Sequence, residues 1–229
     1  MNETHTNDTP AKRSVVAIDG PNASGKGSLS RRLAEHLGWP LLDTGLMYRA
    51  GGLAVAEAGA DLDDEAMCER IIHGLRFELR HPAGLFINGK PADVQKLRSH
   101  EGGEAASRVS AYRTVRDHVH RVQRAFAKEG DVVMDGRDIG TVTVPDARYK
   151  IYLTASPEVR AARRVKELQD RGIDADYETI LADVNRRDER DMNRKHDPLR
   201  PAEDALIIDT TDMTPDEVFE RALEYLKGT

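Results

Sequence analysis

The segment Gly20-Pro21-Asn22-Ala23-Ser24-Gly25-Lys26-Gly27-Ser28 constrains the fold more than anything else in the chain. It fits the pattern G-x-x-x-x-G-K and stands between the apolar run Val15-Val16-Ala17-Ile18-Asp19 and a stretch in which Leu29, Leu33 and Leu37 recur every four residues. That order reads as strand, tight turn and helix, with Gly38 closing the helix. Small residues are needed in such a turn because successive backbone N–H groups must converge on phosphate oxygens, and an inward Cβ would block them. The helix N-terminus adds positive potential, and Lys26 brings a compact charge to the outer phosphates. A hydroxyl beside the turn helps order magnesium. Gly27 follows Lys26 directly, so that hydroxyl falls to Ser28, one place later.

Four further apolar runs end in acids or small polar residues: Leu41-Leu42-Asp43, Val132-Val133-Met134-Asp135, Ile151-Tyr152-Leu153-Thr154 and Leu206-Ile207-Ile208-Asp209. With the first run they make five buried parallel strands flanked by helices, an α/β core. About ninety residues separate the second and third of these strands, too many for one crossover helix, so a subdomain is inserted there. Its middle looks antiparallel: Leu75, Phe77 and Leu79 alternate with polar residues, His81-Pro82-Ala83-Gly84 turns, and Leu85-Phe86-Ile87 leads to Asn88-Gly89. A long helix is expected next, its face drawn by Val109, Tyr112, Val115, Val119, Val122 and Phe126 and its end marked by Gly130. The last helix opens on Thr214-Pro215-Asp216-Glu217, a capping box with proline in the first turn.

Composition narrows the function classes. At 39% hydrophobic and 32% charged the chain is globular, and no uncharged apolar run approaches the roughly 18 residues of a membrane span. Residues 1–13, rich in polar side chains and without an apolar core, read as a mobile tail and not a secretory signal. The single cysteine, Cys68, forms no internal disulfide and supplies no thiolate cluster, as expected of a cytoplasmic protein. A net charge of -6 is wrong for a general nucleic-acid coat. Yet the cations are 25 arginines to 9 lysines, and the planar guanidinium suits phosphate. A coding preference and ordinary exposed helices would also produce arginine excess, so position has to decide.

Two clusters follow strand ends, where open parallel sheets bind ligands. Asp43-Thr44-Gly45-Leu46-Met47-Tyr48-Arg49 offers a hydroxyl at Thr44 and a phosphate fork at Arg49. Asp135-Gly136-Arg137-Asp138-Ile139-Gly140-Thr141 places acids and an arginine around two glycines, with Asp135 positioned like a Walker-B acid for hydrated magnesium. Farther on, Ser156-Pro157 opens a helix on which Arg160 and Arg164 share a face. Arg187, Asp191 and Arg194 are spaced to form one helical stripe able to clamp an anion, although interspersed acids fit a salt-bridged exposed helix equally. The eight histidines are expected to be solvated; His118 and His120, two apart, make a poor metal pair.

GPNASGKGS, DTGLMYR, DGRDIGT, RRDERDMNR and PAEDALIIDTT resemble, in order and spacing, the motifs of the bacterial cytidylate kinases, from about Val15 to Lys227. The resemblance implies a five-stranded parallel core, an inserted monophosphate-binding domain and a mobile lid. It divides the chain into core at 14–43, the insertion at 44–129, core at 130–157, the lid region at 158–194, and a closing strand and helix at 195–229. It implies that ATP with Mg²⁺ donates its γ-phosphoryl group to CMP or dCMP. By motif position Thr44, Arg49, Arg116, Arg137 and Asp138 surround CMP, with Arg49 and Arg137 on the acceptor phosphate. Ser107 and Arg116 occupy the places that read cytosine, Asp191 accepts from a sugar hydroxyl, and Arg194 shares the phosphates. Arg187 approaches from the same stripe, so Lys26, Arg137, Arg187 and Arg194 are the expected catalytic cations. Arg160 and Arg164 would cover ATP from the lid, and Ser28 with Asp135 would serve the metal, directly or through water. The loop departs from the family habit at Asn22-Ala23, where serine and glycine are common, and at Ser28, where threonine is usual.

The expected partners are ATP and CMP or dCMP, with no nucleic acid and no membrane, on a monomer. Two rivals stand beside this reading. One is another small-molecule P-loop kinase acting on UMP, AMP or a non-nucleotide acceptor. The other is a nucleotide-dependent switch, opposed by the lack of an N-K-x-D or T-K-x-D motif.

Overall fold

The computed structural model describes residues 14–228, so the tail expected over 1–13 lies outside the described residues. Five parallel strands, β1 (Val15–Asp19), β2 (Leu41–Asp43), β6 (Val132–Gly136), β7 (Tyr149–Thr154) and β8 (Leu206–Asp209), form one sheet in the order β2-β6-β1-β7-β8. β1 is the central strand, and its successor β2 lies beyond β6. The chain therefore switches sides at the exit of β1, where an open α/β sheet leaves a crevice. Register aligns the carboxyl ends: Asp19 pairs with Gly136 and Tyr152, and Asp43 with Asp135. Three acids thus arrive at one rim of the sheet because their strands end together.

All five residues of β1 are buried, and alternation sends them to two cores. Val15 and Ala17 join Leu42, Met134 and Met47 on one face. Val16 and Ile18 pack on the other against Leu29 and Leu33 of α1 (Lys26–Leu37) and Val218 and Leu223 of α9 (Pro215–Gly228). The capping box expected at Thr214 is present, with Glu217 accepting from the Thr214 N–H at 2.8 Å.

Between β2 and β6 stand α2 (Thr44–Glu57), α3 (Glu65–His73), a three-stranded antiparallel sheet of β3 (Phe77–Arg80), β4 (Gly84–Ile87) and β5 (Lys90–Pro91), then α4 (Val94–Leu97), α5 (His100–Val109) and α6 (Arg113–Glu129). The single long helix expected from Val109 to Phe126 is two helices. Ser110 caps α5 and Tyr112, at φ -81 and ψ 130, opens α6. Apolar spacing continues across the break, so periodicity alone does not reveal it. After β6 a π-helical turn (Ile139–Thr143) leads to β7, then come α7 (Pro157–Asp170) and α8 (Tyr177–Asn193).

α2 carries Arg49 and α5 carries Ser107, and the two helices meet through small residues. A Cβ added at Gly52 would lie 2.7 Å from both the Ala105 carbonyl carbon and the Ala105 Cβ. Gly52→Ala is accordingly expected to lower stability by about 1–3 kcal/mol through overpacking. Urea unfolding of the two proteins checks this, and an unchanged midpoint would contradict it.

Candidate phosphoryl-transfer site

The glycine-rich loop leaves β1 at Gly20 and enters α1 at Lys26. Gly20 has φ 146, and a side chain there would collide with the backbone oxygen of Leu153 on β7. Gly25 caps α1 in the left-handed conformation at φ 94. Lys26 is 5% exposed and donates from Nζ to the Pro21 carbonyl at 2.7 Å, so its ammonium folds back over its own loop. Burial, then the charge of Arg137, brings Lys26 down to about 7 against the opposing pull of Asp135, Asp19 and Asp43. Burial pushes Asp135 up to about 6, with Lys26 as its leading countercharge. Asp19 is pushed up to about 7 by burial, although it accepts from the Ile139 and Gly140 N–H groups at 2.9 and 2.8 Å.

The donors near the loop suit a hard divalent cation. A Cβ at Gly27 would come 3.6 Å from Asp135 Oδ2, which places that carboxylate over the first turn of α1, beside exposed Ser28. Carboxylate and hydroxyl oxygen, without thiolate or imidazole, are magnesium-type ligands. The cluster of His120, Asp138 and Asp197 is elsewhere, and a guanidinium fills it: Arg116 Nε bonds Asp197 at 2.7 Å and its Nη2 bonds Asp138.

Toward the insertion, guanidiniums crowd into a space that a glycine opens. A Cβ at Gly103 of α5 would lie 2.7 Å from Arg187 Nη2 and 3.3 Å from Arg49 Nη1. Arg49 donates to the Leu97 carbonyl at 3.0 Å, and burial with the neighbouring Arg187 charge lowers it to about 10. Arg187 reaches Glu104 at 3.2 Å, yet its Nε is buried without a hydrogen-bond partner. Arg137 Nε bonds Asp191 at 3.0 Å while Nη1 donates to the Gly136 carbonyl at 3.1 Å. Cations brought this close, one with an unused buried donor, favour an anion among them.

Past the arginines lies a more structured polar end. Thr44 donates to the Asp135 carbonyl at 2.7 Å. Arg116, 1% exposed, also donates to the Ser110 carbonyl at 3.2 Å and faces His120 Nε2 at 3.2 Å. Burial opposes ionisation of Asp138, but His120, Arg116 and Arg194 outweigh it and hold its carboxyl below the usual range. The Arg116 guanidinium stands 5.8 Å from the ring of Tyr48, whose buried hydroxyl has no partner. Arg190 donates to Ser107 Oγ, joining α8 to α5.

The cytidylate kinase family model matches residues 16–228. The chain belongs to the cytidylate kinase family. A cytidylate kinase of Brucella suis is 50% identical over 213 residues, covering 93% of this chain and 92% of its own length. One of Shewanella loihica is 47% identical over 216 residues, covering 93% and 94%. The fold is also that of a crystal structure of an uncharacterized protein from Eubacterium ventriosum, at TM-score 0.55 and 14% identity over 95% of this chain and all of that one.

Within this cytidylate kinase architecture several expectations change. Arg160 is 2% exposed, clamps Asp188 at 3.0 and 2.5 Å, and donates to the Asn22 carbonyl at 3.3 Å. It ties α8 to the loop, whereas Arg164, on the same helix face, is part-exposed and paired with Glu167 at 2.7 Å. Arg194 lies just outside α8 at φ -61 and ψ 142, so the stripe of Arg187, Asp191 and Arg194 is not wholly helical. Arg194 nevertheless turns inward to Asp138 at 3.2 Å. The histidines are not all solvated: His120 is 2% exposed, and His118 stacks on His73 with ring centroids 4.2 Å apart.

Sequence reasoning missed Asp19, Tyr48, His120, Asp188 and Asp197 at this site. Asp19 could have been found from its place between a buried strand and the loop, and Tyr48 from its motif. His120 falls one helical turn after Arg116, a spacing that offered a signal, whereas Asp188 and Asp197 depend on partners 28 and 81 positions away, for which spacing carries none.

Burial disfavours the ammonium form of Lys26 in the free protein, while an arriving polyphosphate favours it. Binding of magnesium–ATP at pH 8 is therefore expected to be accompanied by net proton uptake. Calorimetry in buffers of different ionisation enthalpy measures this, and zero uptake would show Lys26 already charged.

Proposed function

We propose that the chain transfers the γ-phosphoryl group of ATP to CMP and dCMP, yielding ADP with CDP or dCDP. The observation that carries this reading is the arginine group around Gly103, where Arg49 and Arg187 converge and Arg187 Nε is buried without a partner. It stands between the triphosphate-type loop and a polar end built for a base, which is the geometry of transfer between two phosphorylated ligands.

The loop amides and Lys26 would hold the triphosphate, as its arrival recharges the ammonium. Magnesium held by Asp135 and Ser28 would neutralise charge on the phosphate oxygens. Arg49 and Arg137 would orient the acceptor phosphate, while Arg187 and Arg194 complete the neutralisation as charge spreads over the transferred group. An acceptor phosphate with a second pKa near 6 is largely dianionic at neutral pH, so no side chain has to remove a proton. α7 and α8, linked to the loop through Arg160 and to α5 through Arg187 and Arg190, would exclude water while both substrates are held.

At the base end Asp138 is held ionised, a pure acceptor suited to the exocyclic amino group of cytosine. Uracil presents a carbonyl oxygen at that position and would meet repulsion. Thr44 and Asp191 would serve the sugar side. The free, buried thiol of Cys68 is in keeping with a reducing cytoplasm.

A coupled ADP-release assay with CMP, dCMP, UMP, AMP and shikimate tests the reading. Turnover is expected to be highest with CMP and dCMP. Equal rates across the panel would favour a nucleotide-dependent switch, and a single different winner would reassign the acceptor. Lys26→Met is expected to lower kcat for CMP by about 10²-fold or more, because charge stabilisation of the transition state is lost. Circular dichroism should be unchanged, and a variant with full turnover would remove Lys26 from the mechanism.

A further inference from the structure

The loop that follows α8 carries one residue that touches both ends of the acceptor site. Asp197 lies in the left-handed region at φ 50, between Arg194 and buried Leu199. Its carboxylate accepts from Arg116 Nε at 2.7 Å, and its carbonyl oxygen accepts from Arg194 Nε at 2.6 Å. The Leu199 N–H donates to the Asp191 carbonyl at 2.8 Å, which fastens the loop to the last turn of α8. Arg116 and Arg194 converge in turn on the same oxygen of Asp138. The result is a closed ring of contacts, in which Asp197 and Asp138 each hold both arginines.

The ring limits what Arg116 can do. Of its five N–H groups, Nε is taken by Asp197, one Nη1 hydrogen by Ser110, and the Nη2 pair faces Asp138 and His120. A single donor on Nη1 is left for a ligand, and its direction is set by the plane in which the guanidinium is locked. Asp197 on Nε and Asp138 on Nη2 lie side by side and together hold one edge of that plane. His120 backs the same plane, with Nδ1 4.0 Å from Asp197.

We propose that Asp197 is a positioning residue for base discrimination. Its carboxylate aims the remaining donor of Arg116, and its backbone oxygen sets Arg194 at the phosphate side in the same register. The loop after α8 thereby couples recognition of the base to neutralisation of the phosphates. The inference rests on the reading of the acceptor as a cytidine monophosphate.

Two substitutions separate this role from a merely structural one. Asp197→Gly keeps the left-handed backbone and the carbonyl that holds Arg194, and removes only the carboxylate. Asp197→Asn tolerates the same backbone and retains an oxygen that can accept from Arg116 Nε. Steady-state kinetics with CMP and UMP, and thermal melting, are measured for both variants and for the unchanged chain. For Asp197→Gly the KM for CMP is expected to rise about tenfold and the CMP-over-UMP ratio of kcat/KM to fall about tenfold, with kcat for CMP within about twofold. Asp197→Asn is expected to restore most of that preference. If Asp197→Gly keeps the KM and the ratio, or if it lowers turnover with both acceptors equally along with the melting temperature, the positioning role is overturned. Failure of Asp197→Asn to recover any preference also overturns it. An unchanged chain with no CMP preference would instead overturn the acceptor assignment, and this inference with it.

Discussion

Two hydrogen bonds to one buried carboxylate hold the site together. Asp19 ends the central strand, and its oxygens accept the N–H groups of Ile139 and Gly140, which open the turn after β6. Strand pairing alone aligns β1 with β6 up to Gly136, but beyond that point the two chains diverge. Asp19 carries the alignment three residues farther, through Arg137 and Asp138. The loop that would grip a triphosphate and the segment that would meet the acceptor are thereby fixed to each other by a single side chain. That carboxylate is held at a cost, since burial raises it to about 7, and a neutral side chain would not accept both N–H groups as strongly.

The same tension runs through the rest of the site. Lys26 loses charge by burial, Arg49 is drawn down to about 10, and Arg187 keeps an unused donor. Each is a group whose best state is not reached by the protein alone. Polyphosphate and phosphate anions would relieve all three, so the free energy withheld from the fold becomes available to binding. At the base end the opposite holds: Arg116, Asp138 and Asp197 satisfy one another before any ligand arrives. One group of charges is left unsatisfied and the other is preset, as gripping a charged phosphate and telling two neutral rings apart would respectively require.

Much of this was legible in the sequence where it depended on neighbours along the chain. All five parallel strands, the loop, the hairpin near Asn88-Gly89 and the Thr214 capping box rest on local alternation, turn chemistry and short spacing. The break between α5 and α6 was not legible, because Val109, Tyr112 and Val115 keep a helical interval across it. Arg160 and Arg164 look equivalent on a helix face, and only Asp188, supplied by another helix, sends one into the interior. His120 stands one helical turn from Arg116, but only Asp138, from another element, shows that it is built in. What spacing misses is thus the choice of long-range partner, which decides whether a polar side chain is exposed or built in.

The crossing of α2 and α5 at Gly52 and Ala105 fixes the distance between the helices that carry Arg49 and Gly103. Backbones this close cannot approach further, and separating them would lose their packing. The spacing of these two helices is therefore not an adjustable quantity for this chain. Divergence toward a different acceptor would have to proceed by exchanging the side chains that these helices carry, leaving their spacing as inherited geometry.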